Sequence, residues 1–206
     1  MKLKRVIAWV ALAIPLAAAL ALAVGYWRSD NDCGKSAAPA RPMKAIVYCD
    51  YGTADVLRLE DVETPAPGDD ELLVRVHAAG VNPLDWHYMR GTPYLMRLSS
   101  GLRKPQDTRL GVDYAGTVEA VGRDVTRFKP GDQVFGGRSG ALAQYVVAKQ
   151  DGAVALKPAN VSFEQAGAVA IAATTALQGL RDAGRLETGD KVLINGASGG
   201  VGTFAV

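Results

Sequence analysis

Apolar and polar positions change rhythm along this chain, and each change marks a different kind of element. From Val6 to Trp27 about 22 residues pass without a charge; as a helix rising 1.5 Å per residue they would span roughly 33 Å, enough for a hydrocarbon core of about 30 Å. Residues 29–42 then lose periodicity and read as a linker rich in Asp, Ser, Ala and Pro. From Lys44 the apolar runs become short. Lys44–Tyr48 and Val56–Val62 suit strands, and Glu71–Ala78 alternates, with Leu72, Val74 and Val76 on one face and Leu73, Arg75 and His77 on the other. Further strands are expected at Tyr114–Val121, Gln133–Phe135 and Ala143–Ala148, separated by turns such as Thr64–Asp70 and Lys129–Asp132. Residues 43–161 therefore predict a compact, mainly antiparallel β domain. At Ser162 the character changes again. Ser162 and Gln165 form a capping-box pair ahead of an alanine-rich helix, Ala166–Ala183. Lys191–Asn195 then reads as a strand and Gly196–Gly202 as a loop that should open a helix, so residues 162–206 read as the entry to a parallel α/β domain.

The apolar N-terminus, residues 1–28, is expected to be a single transmembrane anchor that contacts the lipid bilayer through residues 6–27. Tyr26 and Trp27 sit where an interfacial aromatic belt would lie, and Pro15 is tolerated in spanning helices. The competing reading is a cleaved signal with Ala21-Leu22-Ala23 at the cleavage site, although signal cores usually run about 7–15 residues. Lys2, Lys4 and Arg5 ahead of the span favour export of the C-terminal domain, whereas Arg28, Lys35 and Arg41 count the other way.

Charge and cysteine narrow the classes. With 23 basic and 21 acidic residues, a net charge of +2 and no basic stripe, nucleic acid is not an expected partner. Cys33 falls in the linker and Cys49 reads as an ordinary strand residue. Two cysteines are too few for a disulfide scaffold or a four-cysteine zinc lobe, and they leave the redox compartment open.

The loop Gly196-Ala197-Ser198-Gly199-Gly200-Val201-Gly202 comes after its strand-like segment in the way a dinucleotide loop does. Glycines permit a sharp turn and close approach of a pyrophosphate, which helix-start N–H groups can hold. An ATPase-type loop is excluded, because Thr203 stands where a lysine is required. A tight packing turn is the alternative reading of the loop alone. Upstream lie Ala79-Gly80-Val81-Asn82-Pro83-Leu84-Asp85, then Gly111-Val112-Asp113-Tyr114-Ala115-Gly116-Thr117-Val118 with Val121-Gly122, and then Phe128-Lys129-Pro130-Gly131-Asp132-Gln133-Val134. In this order and spacing, from about Met43 to Val206, these segments resemble the medium-chain dehydrogenase/reductase superfamily, specifically its zinc-free, quinone-oxidoreductase-like branch.

The resemblance implies a GroES-like mainly-β domain followed by the start of a Rossmann α/β domain, behind the N-terminal transmembrane helix. It also implies an oxidoreductase that transfers hydride from a nicotinamide cofactor, usually NADPH with NADH not excluded, to a quinone, enone or other activated carbonyl. By position, Ser198, Gly199, Gly200, Val201 and Gly202 would hold the pyrophosphate, and Asn82 and Thr175 would lie near the nicotinamide end. No zinc is expected. Asn82–His87 contains no cysteine, Asp113 stands in place of the glutamate-bearing signature, and His77 and His87 are the chain's two histidines. Without a Lewis acid the substrate must already be electrophilic, and the protein's task is mostly to hold donor and acceptor together. Tyr94, in Arg90-Gly91-Thr92-Pro93-Tyr94, lies near the place of a catalytic tyrosine in some enoyl-reductase relatives, with the register off by one residue; packing or substrate lining is its competing role. His87 is read as a surface or packing histidine, and Asp85 as the acceptor of a local structural hydrogen bond.

The same resemblance makes this chain an incomplete copy, since further strands and the residue choosing NAD or NADP would lie past Val206. A homodimer is among the assemblies open to the full-length form. A non-catalytic, membrane-tethered β-domain binding module is the alternative from another class. The expected location is single-pass membrane-anchored, with the cytosolic side required for NADPH chemistry.

Overall fold

The computed structural model describes residues 2–31, 33 and 38–206, with side chains of the first helix described from 13 to 27. That helix, α1, runs Lys2–Arg28. A two-stranded antiparallel ribbon comes next, formed by β1 (Pro42–Tyr48) and β2 (Leu57–Glu63). The main sheet contains β3 (Glu71–Gly80), β4 (Asp113–Val121), β5 (Gln133–Gly137), β6 (Tyr145–Lys149) and β7 (Val154–Leu156), in the order β6-β3-β4-β5-β7 with every pairing antiparallel. Its core gathers Leu72, Val74, Tyr114, Val118, Phe128, Val134 and Val146. Burying each of its Leu, Val and Phe side chains stabilises by about 1.5–3 kcal/mol. Leu73, expected opposite Leu72 with the polar set, is also buried, and a register shift between Leu73 and Val74 interrupts the simple alternation.

Two helices between β3 and β4 were not legible as such: α2 (Pro83–Arg90) and the short α3 (Arg97–Ser100). The signals for α2 are nevertheless present. Asn82 is extended, Pro83 takes the first turn, and Asp85 reaches back to accept the Asn82 backbone N–H at 2.7 Å. Gly91 closes the helix at φ +60, where an added Cβ would lie 2.7 Å from the Tyr51 ring.

After the sheet, Ser162 and Gln165 form the expected capping box at α4 (Phe163–Ala166). The single helix expected over 166–183 is instead divided. The chain passes α4, turns at residues 167–169, continues as α5 (Ala170–Leu177) and widens into a π turn at Gln178–Ala183. The break has a packing cause: a Cβ at Gly80 would lie 2.7 Å from the Gly167 carbonyl, so β3 and the inter-helix turn meet backbone to backbone. The last helix, α6, spans Gly200–Ala205 and packs against α5.

Several expectations are corrected. Among the described residues no helix is long and apolar enough to cross a membrane, which overturns the transmembrane helix, the bilayer contact through residues 6–27 and the single-pass location. The side chains of Lys2, Lys4, Arg5 and Arg28, used for orientation, lie outside the described ones, as does Lys35. Lys191–Asn195 forms no strand; it has no ladder partner among the described residues, and Leu193 is 96% exposed. Cys49 is not an ordinary strand residue but pairs with Cys33 in a disulfide. Beside it, Asn31 is buried and donates from Nδ2 to the carbonyls of Cys49 (2.7 Å) and Pro105 (3.1 Å). Residues 32 and 34–37 of the expected linker lie outside the described residues.

Candidate functional site

Two clefts open beside the end of β4. One, of about 450 Å³, is walled by Tyr48, Asp85, Tyr88, Arg109 and Arg138. The other, of about 490 Å³, is walled by Phe135, Ala153, Thr174, Thr175 and Gln178. Gly137 and Ile171 line both, so the clefts adjoin across the first turn of α5. Volumes of this order accommodate a small ligand.

Beside the first cleft two buried carboxylates are linked through Asn82; Asp85 lines that cleft and Asp113 lines neither. Asp85 is 4% exposed; its Oδ2 accepts the Asn82 N–H, and its Oδ1 accepts the Gly111 N–H at 3.0 Å. Asp113 is 1% exposed; its Oδ2 accepts from Asn82 Nδ2 at 3.2 Å, and its Oδ1 accepts the Ile171 N–H at 3.0 Å. Desolvation raises the pKa of both acids above the ordinary carboxyl value. The N–H bonds of Asn82 and Gly111 pull Asp85 back, while the Asn82 amide and Ile171 N–H pull Asp113 back against a small push from the Asp85 charge. Burial likewise raises Tyr48, so its phenol at the cleft wall stays protonated.

The expected site residues do not all gather here. Thr175 lines the second cleft, its hydroxyl donating to the Ile171 carbonyl at 2.7 Å. Asn82 lines neither cleft; it stands at the carboxylate pair, on the same bonded path as Ile171. Tyr94 is 73% exposed, borders neither cleft and lies beneath the Arg97 guanidinium at 4.9 Å. His87 stacks on Trp86 at 4.0 Å with Nδ1 against the Thr92 carbonyl at 2.6 Å. Among the described residues no group of three or more His, Cys, Asp or Glu side chains is placed to hold a metal ion.

Ser198–Gly202 lies at the start of α6. Gly196 sits at φ +76, and a Cβ on Gly202 would come 2.1 Å from the Gly196 carbonyl, so the turn requires glycine at its closing position. A Cβ on Gly200 would meet nothing within 4 Å, leaving that face open. The first i→i−4 bond of α6 runs from Thr203 N to Gly199 O at 2.9 Å, which leaves the N–H groups of Gly200, Val201 and Gly202 outside the helix ladder. Open glycine backbone with free donors fits a pyrophosphate, and the packing of α6 on α5 puts the loop on the helix that carries Thr175.

Sequence reasoning uses Asp113 only as the replacement of a zinc-site signature, and singles out neither Ile171 nor Gly137. The available signal is an acid opening the strand directly ahead of Tyr114 and Ala115.

Residues 68–159 match the family model of the alcohol dehydrogenase GroES-like domain. The chain is similar to a quinone oxidoreductase of Sus scrofa, 40% identical over 166 residues that cover 79% of this chain and 48% of that protein. It is 38% identical over 175 residues to a 2-methylene-furan-3-one reductase of Solanum lycopersicum, covering 80% and 43%. Among solved structures it resembles the quinone oxidoreductase from Coxiella burnetii, with TM-score 0.72, 36% identity and coverage of 80% of this chain and 52% of that one. The CurK enoyl reductase aligns with TM-score 0.72 at 28% identity, covering 80% and 50%. The chain spans about half the length of the curated relatives it matches.

Proposed function

The chain belongs to the medium-chain dehydrogenase/reductase superfamily, on its quinone-oxidoreductase-like branch, and from that premise we propose that it takes part in metal-independent reduction of a quinone, enone or other activated carbonyl by NADPH. The observation that carries this reading is the meeting of two clefts at Gly137 and Ile171, with Thr175 on one side and Tyr48 and Asp85 on the other. That arrangement suits a donor and an acceptor brought into contact at the shared wall. A nicotinamide bound in the Thr175 cleft would supply the hydride.

The chain's own residues then bind and orient. The backbone of Ser198–Gly202 would hold the pyrophosphate, and Asn82 and Thr175 would hold the nicotinamide end. The 450 Å³ cleft would receive the acceptor. Holding reacting carbons within contact converts an encounter into an intramolecular step, which can supply about 7–11 kcal/mol of the barrier. An acceptor already electron-poor needs little more.

The test is a fluorescence titration of the purified protein with NADPH and with NADH, followed by addition of quinones and α,β-unsaturated ketones. Saturable NADPH binding and acceptor-dependent loss of its absorbance at catalytic protein concentration are expected. Absence of both with either nucleotide would defeat the proposal.

A further inference from the structure

We propose that Asp113 is a positioning residue that ties Asn82 to the turn of α5 below Thr175, and so sets both toward the nicotinamide end of the cofactor. Its carboxylate lies at the centre of one bonded path: Asn82 Nδ2 donates to Oδ2 at 3.2 Å, the Ile171 N–H donates to Oδ1 at 3.0 Å, and the Ile171 carbonyl accepts the Thr175 hydroxyl at 2.7 Å. Two residues 93 positions apart in sequence (82 and 175) are thereby tied to one buried group.

The sheet is built to allow this. The ladder neighbours of Asp113 are Gly80 on β3 and Gly137 on β5. The missing side chain at Gly80 lets the Gly167 turn approach, since an added Cβ would lie 2.7 Å from the Gly167 carbonyl; Ile171 lies over Gly137, where an added Cβ would make an ordinary contact of 3.8 Å with Ile171 Cδ1. The first turn of α5 then rests on the carboxylate, which meets an N–H that the helix itself leaves unbonded. With its amide hydrogen committed to Asp113, Asn82 has a fixed rotamer. With its hydroxyl proton committed to Ile171, Thr175 turns oxygen lone pairs outward as acceptors.

A buried acid that served stability alone could be exchanged without a selective effect on the ligand. Asp113 instead lies between the two predicted ligand contacts, so its loss should loosen both together. This inference rests on the reductase reading for its consequence, and on the bonded path alone for its geometry.

The experiment uses Asp113→Asn and Asp113→Ala in the full chain, with two readouts. In the first, NMR follows the Asn82 side-chain amide and the hydrogen exchange of the Ile171 N–H without ligand. Asp113→Asn should shift the Asn82 amide signals while largely keeping Ile171 protected through the remaining carbonyl oxygen, and Asp113→Ala should release both. In the second, NADPH titration should weaken about tenfold in Asp113→Asn and further in Asp113→Ala, at temperatures where each variant remains folded. A merely structural role would lower Tm and leave the affinity of the folded protein unchanged. Unaltered Asn82 and Ile171 signals in Asp113→Ala, or unaltered affinity in both variants, would overturn the inference. A wild-type chain that binds no nicotinamide nucleotide would overturn the reductase reading, while the NMR readout would still decide the positioning.

Discussion

Single residues decide the chemistry available between the clefts. Asp85 is buried with both oxygens accepting backbone N–H groups, at 2.7 Å from Asn82 and 3.0 Å from Gly111. Asp85→Ala leaves the buried Gly111 N–H and the half-buried Asn82 N–H without this partner, and we expect a loss of about 2–3 kcal/mol in urea unfolding. Since desolvation raises Asp85 and Asp113 in the folded state, their protonated forms are favoured by folding. Their contribution is fully present below the ordinary value of 3.8 and declines as pH rises through the raised folded values. The double variant Asp85→Asn/Asp113→Asn should therefore lose that part of the slope of stability against pH, readable as a flatter Tm profile upward from pH about 4. If the profiles of variant and wild type are parallel, the buried acids are not the source. At Gly202 the constraint is steric. A Cβ 2.1 Å from the Gly196 carbonyl forces the loop open, so Gly202→Ala should weaken nucleotide binding more than it lowers Tm.

Elements formed where their signals were local. The capping box at Ser162 and Gln165 joins residues three apart, needs no tertiary partner and was readable. Ser162→Ala should cost about 1 kcal/mol by thermal denaturation. The cap of α2 was equally local in Asn82, Pro83 and Asp85, but the helix has eight residues, too few for its periodicity to stand out from the flanking segments. At its other end Gly91 combines φ +60 with the Tyr51 ring 2.7 Å from any added Cβ. Gly91→Ala is expected to destabilise by at least about 1–2 kcal/mol, measured against Ser162→Ala in the same denaturation series. The division of the 166–183 helix could not be read, because its cause is a meeting of Gly167 with Gly80, far away in sequence. Lys191–Asn195 has the composition of a strand and none of the pairing. A strand is completed by a neighbour's N–H and C=O groups, which no local pattern supplies.

At the scale of the molecule, the disulfide between Cys33 and Cys49 joins the segment after α1 to the end of β1 across a separation of 16 residues. Closing a loop of that length limits the unfolded chain by about 3 kcal/mol in the entropic account. Cys33→Ser/Cys49→Ser should lower stability by about 2–4 kcal/mol, and non-reducing peptide mapping should recover the linked pair from the wild type. The same corner carries Ser29, whose hydroxyl donates to the Lys104 carbonyl at 3.2 Å, so the chain after α1 is fastened to the segment leading into the first cleft. By itself the sequence determined the β strands that alternate, the capped helix start, the glycine loop and the ordered motifs that identify the superfamily, because each depends on neighbours within a few positions. Tertiary structure alone decided the rest: that two distant cysteines pair, that β3 buries Leu73 as well as Leu72, and that Asp113 joins Asn82 to Ile171. Those facts depend on which surfaces approach in space. An alternation of residues records which way a side chain points, but not what it will meet.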